Sequence, residues 1–214
     1  MHNENDEKNP EHTETPPEEA TPTRTESLPG SRVIPVSGAI DSDMVASVMY
    51  GLAALNGASL DPIHVQIHSH GGSLFAGWAL YDLFSTNPSP VFTMGFGYVG
   101  SAATLAFQGG VARLLGPNAT LMIHQANNTL SENTSFSIKE MHTLAEELEE
   151  LERSTERMLA KRTKQPLAKI RSWCAKETEF TATAAIRYGL ADALLRPNKP
   201  FTLEKKKSRG PTKR

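Results

Sequence analysis

Residues 91–125 read VFTMGFGYVGSAATLAFQGGVARLLGPNATLMIHQ, and the order of signals in this stretch decides the fold class. Val91-Phe92-Thr93-Met94 is rich in β-branched and aromatic side chains and reads as a short strand. It runs into the glycine-rich Gly95-Phe96-Gly97-Tyr98-Val99-Gly100, after which small residues from Ser101 to about Gln108 form a helix that stops at Gly109-Gly110. Ala112 to Leu115 and Leu121 to His124 are two further strands around a turn at Gly116-Pro117-Asn118.

The same alternation extends outward on both sides. Val33-Ile34-Pro35-Val36 is a first strand whose proline places it at an edge or a bulge. Asp41 or Ser42 caps a helix carrying Met44, Val45, Val48, Leu52 and Leu55 on one stripe. Ile63 to His68 alternates apolar and polar, the period of a strand, and leads through Ser69-His70-Gly71-Gly72 into a helix from about Ser73 to Phe84. Strands alternating with helices in one domain indicate an α/β fold with largely parallel pairing.

From Ser137 to about Arg162, Met141, Leu144, Leu148, Leu151 and Met158 recur at three-four spacing, which predicts a helix on the order of 39 Å long. Its other faces hold Glu146, Glu147, Glu149, Glu150 and Glu152, so the helix is expected to project and to bury its stripe against another copy or element.

The ends are of different composition. Residues 1–30 hold Glu4, Asp6, Glu7, Glu11, Glu14, Glu18, Glu19 and Glu26 against Lys8 and Arg24, with little that is large and apolar, which marks a disordered acidic tail. Residues 197–214 are strongly basic and read as a flexible tail. The two tails nearly cancel in the overall charge of −2, and a solvated end is the expected role of the basic one, in preference to nucleic-acid contact. Residues 31–196 make one domain with room for a core but not for a built-in ATPase. No run approaches the roughly 18 apolar residues of a membrane span, and MHNENDEKNP lacks the pattern of a signal peptide, so the expected location is the cytoplasm. Cys174 is the sole cysteine, which excludes an intrachain disulfide and argues against a cysteine-based metal site.

Two features suit acyl transfer. A serine opening a helix, as Ser101 does, either caps it or presents its Oγ beside free backbone amides. Gly71-Gly72 at a strand end permits close backbone approach to a ligand, though a plain turn has the same need. The sequence around Ser101 is not a G-x-S-x-G elbow. His124 ends a strand, whereas His64, His68 and His70 share one strand face with no acid beside them and make a poor metal site.

Gly97 to Gln125 resembles the active-site core of the Clp protease proteolytic subunits, the ClpP-like serine peptidases. Gly116-Pro117-Asn118 and Met122-Ile123-His124-Gln125 match that family's motifs in order and spacing. Ser69-His70-Gly71-Gly72 resembles its Ser-Pro-Gly-Gly turn, with His70 in place of the proline, and Tyr188-Gly189-Leu190-Ala191-Asp192 its closing Tyr-Gly-Leu-Val-Asp. The resemblance spans residues 32 to 195. It implies the ClpP/crotonase-like fold of repeated strand-helix units, with the helix from Ser137 as a projecting handle and the loop Ala126 to Phe136 binding extended peptide. It implies Ser101 as nucleophile, His124 as base, and the amides of Gly72 and Ala102 as oxyanion hole. Counting back from Tyr188 puts the triad acid at Glu177, with Glu179 as its neighbouring competitor.

The implied activity is a serine endopeptidase acting on polypeptide substrates inside stacked, heptameric rings of the chain itself. No cofactor or metal is implied, and ATP would be used only by a separate AAA+ Clp unfoldase. Thr25 to Arg32 lacks the Asp-Ile-x-Ser-Arg-Leu pattern of the bacterial enzymes. Two other readings are a non-catalytic ring subunit and a crotonase-type acyl-CoA enzyme, the latter having no need of a Ser-His pair. Because neither tail carries a matched motif or core-forming composition, a chain trimmed to residues 31–198 is expected to fold, assemble and cleave small peptides. Failure of the trimmed chain to fold, read by circular dichroism, would show that a tail docks onto the body.

Overall fold

The computed structural model describes residues 31–126, 135 and 137–196, so both tails and the loop after Ala126 lie outside the described residues. In chain order the elements are β1 (Val33–Ile40), α1 (Ser42–Ala58), β2 (Ile63–Gly72), α2 (Leu74–Ser85), β3 (Val91–Gly100), α3 (Ala102–Gln108), β4 (Ala112–Leu115) and β5 (Thr120–Ile123). They are followed by α4 (Ile138–Thr163), α5 (Leu167–Cys174), β6 (Thr178–Thr181), α6 (Ala182–Arg187) and β7 (Ala193–Leu194).

The sheet runs β1-β2-β3-β4-β7 with every neighbour parallel, as the strand-helix alternation predicts. Pro35 sits in β1 at the sheet edge, one of the two placements that the proline predicts, while the bulge of β1 lies further on, between Ser37 and Ala39. The long β3 forks. Phe92–Gly95 pair with β4, while Tyr98–Gly100 pair with Thr120–Met122 of β5, which in turn carries β6 antiparallel.

Two strands extend further than the sequence predicts. The glycine-rich segment through Gly100 continues β3, and Gly71-Gly72 belong to β2, opposite Ala39 and Ile40. Ladder pairing, with β1 alone for Gly71-Gly72 and with strands on both sides for the β3 segment, holds these stretches extended despite the weak strand propensity of glycine. The helix caps follow local rules: Asp41 accepts from the Met44 amide at 2.8 Å, and Ser137 forms a capping box with Glu140 at the start of α4.

One hydrophobic cluster joins the sheet to its helices. Leu80 and Phe84 of α2, Phe107 of α3, Ile67 of β2 and Leu121 of β5 are all buried within it. The 26-residue α4 divides in two. Ile138 and Met141 in its first turns are exposed, Leu144, Leu148 and Leu151 are half-buried, and Met158 and Leu159 lie in the core. This corrects the expected seam: Met158 packs within its own subunit, because the last turns of α4 lie against α3 and α5.

Arg113 on β4 is the charged group most dependent on its surroundings. It is 5% exposed, and its backbone amide and Nε donate to Asp192 Oδ2 at 2.8 and 3.0 Å while Nη2 donates to Oδ1 at 2.8 Å. Asp192 thus ties β4 to the segment entering β7. Burial alone would raise the Asp192 pKa, but the hydrogen bonds and charge of Arg113 outweigh it and hold the carboxyl below its ordinary value.

Asp192→Asn would leave a buried guanidinium without its counter-charge. Because the Asp192 side chain is 43% exposed, the expected loss is less than that of a fully buried pair, about 2 kcal/mol, read as a lower urea midpoint. A lowered folded-state pKa stabilises above the ordinary value of 3.8 and loses that effect as pH falls through the folded value. The gap between native and variant chains should therefore narrow in acid, and an equal midpoint at neutral pH would contradict this role.

Candidate active site

Three parallel strands, β2, β3 and β5, end side by side, and the chemistry-bearing residues sit where they end. Ser101 is the single residue between β3 and α3. Its φ of 55° and ψ of −125° lie outside the regions comfortable for a residue with a side chain, and its side chain makes no cap bond. The serine is therefore not acting as an N-cap. Instead its Oγ lies 2.7 Å from His124 Nε2. His124 directly follows β5, and its side chain is 15% exposed.

The turn holding Ser101 is tied on every side. Its amide donates to Met122 O of β5 at 3.1 Å, and Thr104 Oγ1 donates to Met122 O at 2.8 Å and lies 3.0 Å from Val99 O. Thr104 was not singled out by sequence reasoning, because its partners are the backbone carbonyls of β3 and β5. Gly71 has a φ of 108°, and a Cβ there would lie 2.7 Å from Ser101 Cβ and 3.0 Å from Ala102 N. A Cβ on Gly72 would collide with Ile40 O. The Gly71-Gly72 backbone thus passes directly over the start of α3, with no space for a side chain. Ser69 fixes this crossing: its Oγ donates to Gly38 O at 2.6 Å and accepts from the Gly71 amide at 3.0 Å.

The two candidate acids are held differently. Glu177 lies in the turn between α5 and β6 with a φ of 48°, its amide donating to Cys174 O at 3.2 Å. Its Oε1 is 3.9 Å from His124 Nδ1, an ion-pair separation longer than a hydrogen bond, and its side chain is 70% exposed. Glu179, on β6, accepts a 2.8 Å hydrogen bond from the Tyr98 hydroxyl. Burial, then the hydrogen bond and charge of Glu179 and the charge of Glu177, push the Tyr98 pKa up to about 12, so the phenol remains a donor. Of the two glutamates, Glu177 is the one near His124, and Glu179 is committed to a tyrosine that sequence reasoning passed over.

The histidine stripe on β2 has partners of other kinds. His68 Nδ1 accepts from the Tyr98 amide at 3.2 Å, His70 stacks on Tyr98 with ring centroids 4.5 Å apart, and His64 lies against Phe92. Among the described residues no three His, Cys, Asp or Glu side chains gather as metal ligands. No described helix is long and apolar enough to cross a membrane. A cavity of about 500 Å³ opens beside the Ser101–His124 pair and extends to α4, with Gly72 on its rim.

The Clp protease family model matches residues 17–198. The ATP-dependent Clp protease proteolytic subunit 2 of Streptomyces coelicolor is 34% identical over 173 residues, covering 78% of this chain and 77% of the relative. Proteolytic subunit 3 of Rhodococcus jostii is 30% identical over 169 residues, 77% of this chain and 81% of the relative. Among solved structures, a ClpP1 mutant from Listeria monocytogenes superposes with a TM-score of 0.71 at 24% identity, over 78% of this chain and 92% of that one, a likeness of fold. With the family's sequence signature running through most of its length and the family's fold beneath it, this chain belongs to the Clp protease proteolytic subunit family.

Proposed function

We propose that the chain is a serine endopeptidase in which Ser101 is the nucleophile, His124 the general base and Glu177 the acid that orients it. The observation that carries this reading is the 2.7 Å contact between Ser101 Oγ and His124 Nε2, made by a serine on a strained strand-to-helix turn. In the reaction, His124 Nε2 takes the Ser101 proton as Oγ attacks the peptide carbonyl carbon. The amides of Gly72 and Ala102 receive the oxyanion of the tetrahedral intermediate. His124 then returns the proton to the leaving amine, and an acyl ester remains on Ser101. Water attacks that ester with His124 again as base, releasing the new carboxyl end. A charge on Glu177 favours the imidazolium that forms twice in this cycle.

The half-exposed stripe of α4 supports assembly into stacked rings, since Met141 is 52% exposed and no described element of its own subunit covers it. Enclosure in a ring would restrict cleavage to unfolded polypeptide. The relatives are named ATP-dependent, and a separate AAA+ unfoldase is the partner that this reading calls for to hydrolyse ATP. A cytoplasmic location is the corresponding setting. A crotonase-type acyl-CoA reaction would leave the Ser-His contact unexplained.

Ser101→Ala is expected to abolish hydrolysis of small fluorogenic peptides while leaving particle mass unchanged by light scattering. Glu177→Gln should lower kcat by about 10⁴. Glu179→Gln should have little effect, because that carboxylate is held by Tyr98. Near-native turnover in Ser101→Ala would overturn the nucleophile. Intact particles of the unmutated chain with no hydrolysis would instead assign it as a non-catalytic ring subunit.

A further inference from the structure

The cavity beside Ser101 is unusual in the charge of its lining. Leu105, Ile123, Leu148 and Leu159 give it apolar walls, while α4 adds Glu152, Thr155 and Glu156. Among the described residues no lysine or arginine lines it. Glu152 and Glu156 stand one helical turn apart on the same face, where two like charges repel. Sequence reasoning placed Glu152 among the solvated faces of the long helix; it lines the cavity instead.

The two carboxylates are differently placed. Glu156 is 6% exposed, and its Oε2 accepts from Arg171 Nε at 2.9 Å; among the described residues no hydrogen bond is made to its other oxygen. Glu152 has no ion pair or hydrogen bond among the described residues. Cys174 also lines the cavity, and its thiol pKa is pushed up to about 12, first by burial and then by the charges of Glu156 and Glu152. Both carboxylates thus line the same cavity as Cys174. With one arginine set against two glutamates, the cavity keeps an uncompensated negative charge behind apolar walls.

We infer that this cavity takes a basic side chain of the substrate, arginine or lysine, at the residue whose carbonyl Ser101 attacks. The aliphatic stem would lie along Leu105, Ile123, Leu148 and Leu159, and the cationic head would reach Glu152 and the free oxygen of Glu156. Such a side chain supplies the counter-charge that the helix face lacks, whereas leucine in the same space would bury the carboxylates without one. A volume of about 500 Å³ accommodates the longest basic side chain. The inference rests on the reading of Ser101 and His124 as the peptidase pair.

The test uses the full chain and peptides identical except at the residue before the scissile bond: arginine, its neutral isostere citrulline, or leucine. The kcat/KM for arginine should exceed that for citrulline by about tenfold or more, the effect of one charge-assisted hydrogen bond. Glu152→Gln should bring that ratio toward one, and Glu152→Asp, which keeps the charge, should retain it. Cleavage after citrulline or leucine as fast as after arginine, or a ratio unmoved by Glu152→Gln, would overturn the inference while leaving the peptidase reading intact. A second arm measures binding of the same peptides to Ser101→Ala by fluorescence anisotropy. Charge-dependent binding there, without hydrolysis by the unmutated chain, would support the cavity and sink the peptidase; equal binding of all three peptides would overturn the cavity.

Discussion

The backbone of Ser101 is the constraint on which the site depends. A side-chain-bearing residue at φ 55° and ψ −125° costs on the order of 1–3 kcal/mol and persists only where the surroundings over-determine it. Here the fork of β3 does so. Its first half is committed to β4 and its second to β5, so Gly100 arrives at the α3 start already paired with Met122. The Ser101 amide and the Thr104 hydroxyl both bind Met122 O, fixing the turn to the strand that ends in His124. Ser101 and His124 are thereby held by the same two strands, and their separation is a property of sheet register.

Much of this architecture was legible because it rests on local patterns. Period-two alternation marked β2, the stripe Met44 to Leu55 marked α1, and the three-four spacing of Met141, Leu144 and Leu148 marked α4. Local pattern does not reveal long-range pairing. The glycines of β3 read as a loop because their strand character comes from β4 and β5, not from their own propensity. Met158 read as a surface seam because its burial is supplied by α3 and α5. Glu152 read as solvated for a related reason: its face is defined by a cavity that α4 shares with four distant segments. Ser101, His124 and the glycine pair were found by resemblance as well as by position, whereas Thr104 and Tyr98, which act through contacts 18 and 81 residues away, left no local signal.

Glu177 is the least tightly held residue of the proposed triad. Glu177 stands at 3.9 Å from His124 and is mostly exposed, so water screens its charge and an exposed pair of this kind contributes little to stability. Its position in a left-handed turn, closed by the Cys174 carbonyl, nevertheless keeps the carboxylate on the His124 side of β6. Tyr98 has the complementary effect of holding Glu179 away. Two acids two residues apart are thus separated in role by one phenol. The same segment delivers Cys174 to the cavity, so α5 and its following turn shape both the base's surroundings and the space beyond it.

All of this turns on whether the strained serine is a competent nucleophile in the folded chain. The most direct measurement is the intact mass of the native protein after exposure to an alkyl fluorophosphonate, followed by peptide mapping of the adduct. A single phosphonyl group per subunit, located on Ser101, is the predicted result. An unmodified chain, or an adduct confined to any other serine, would contradict it.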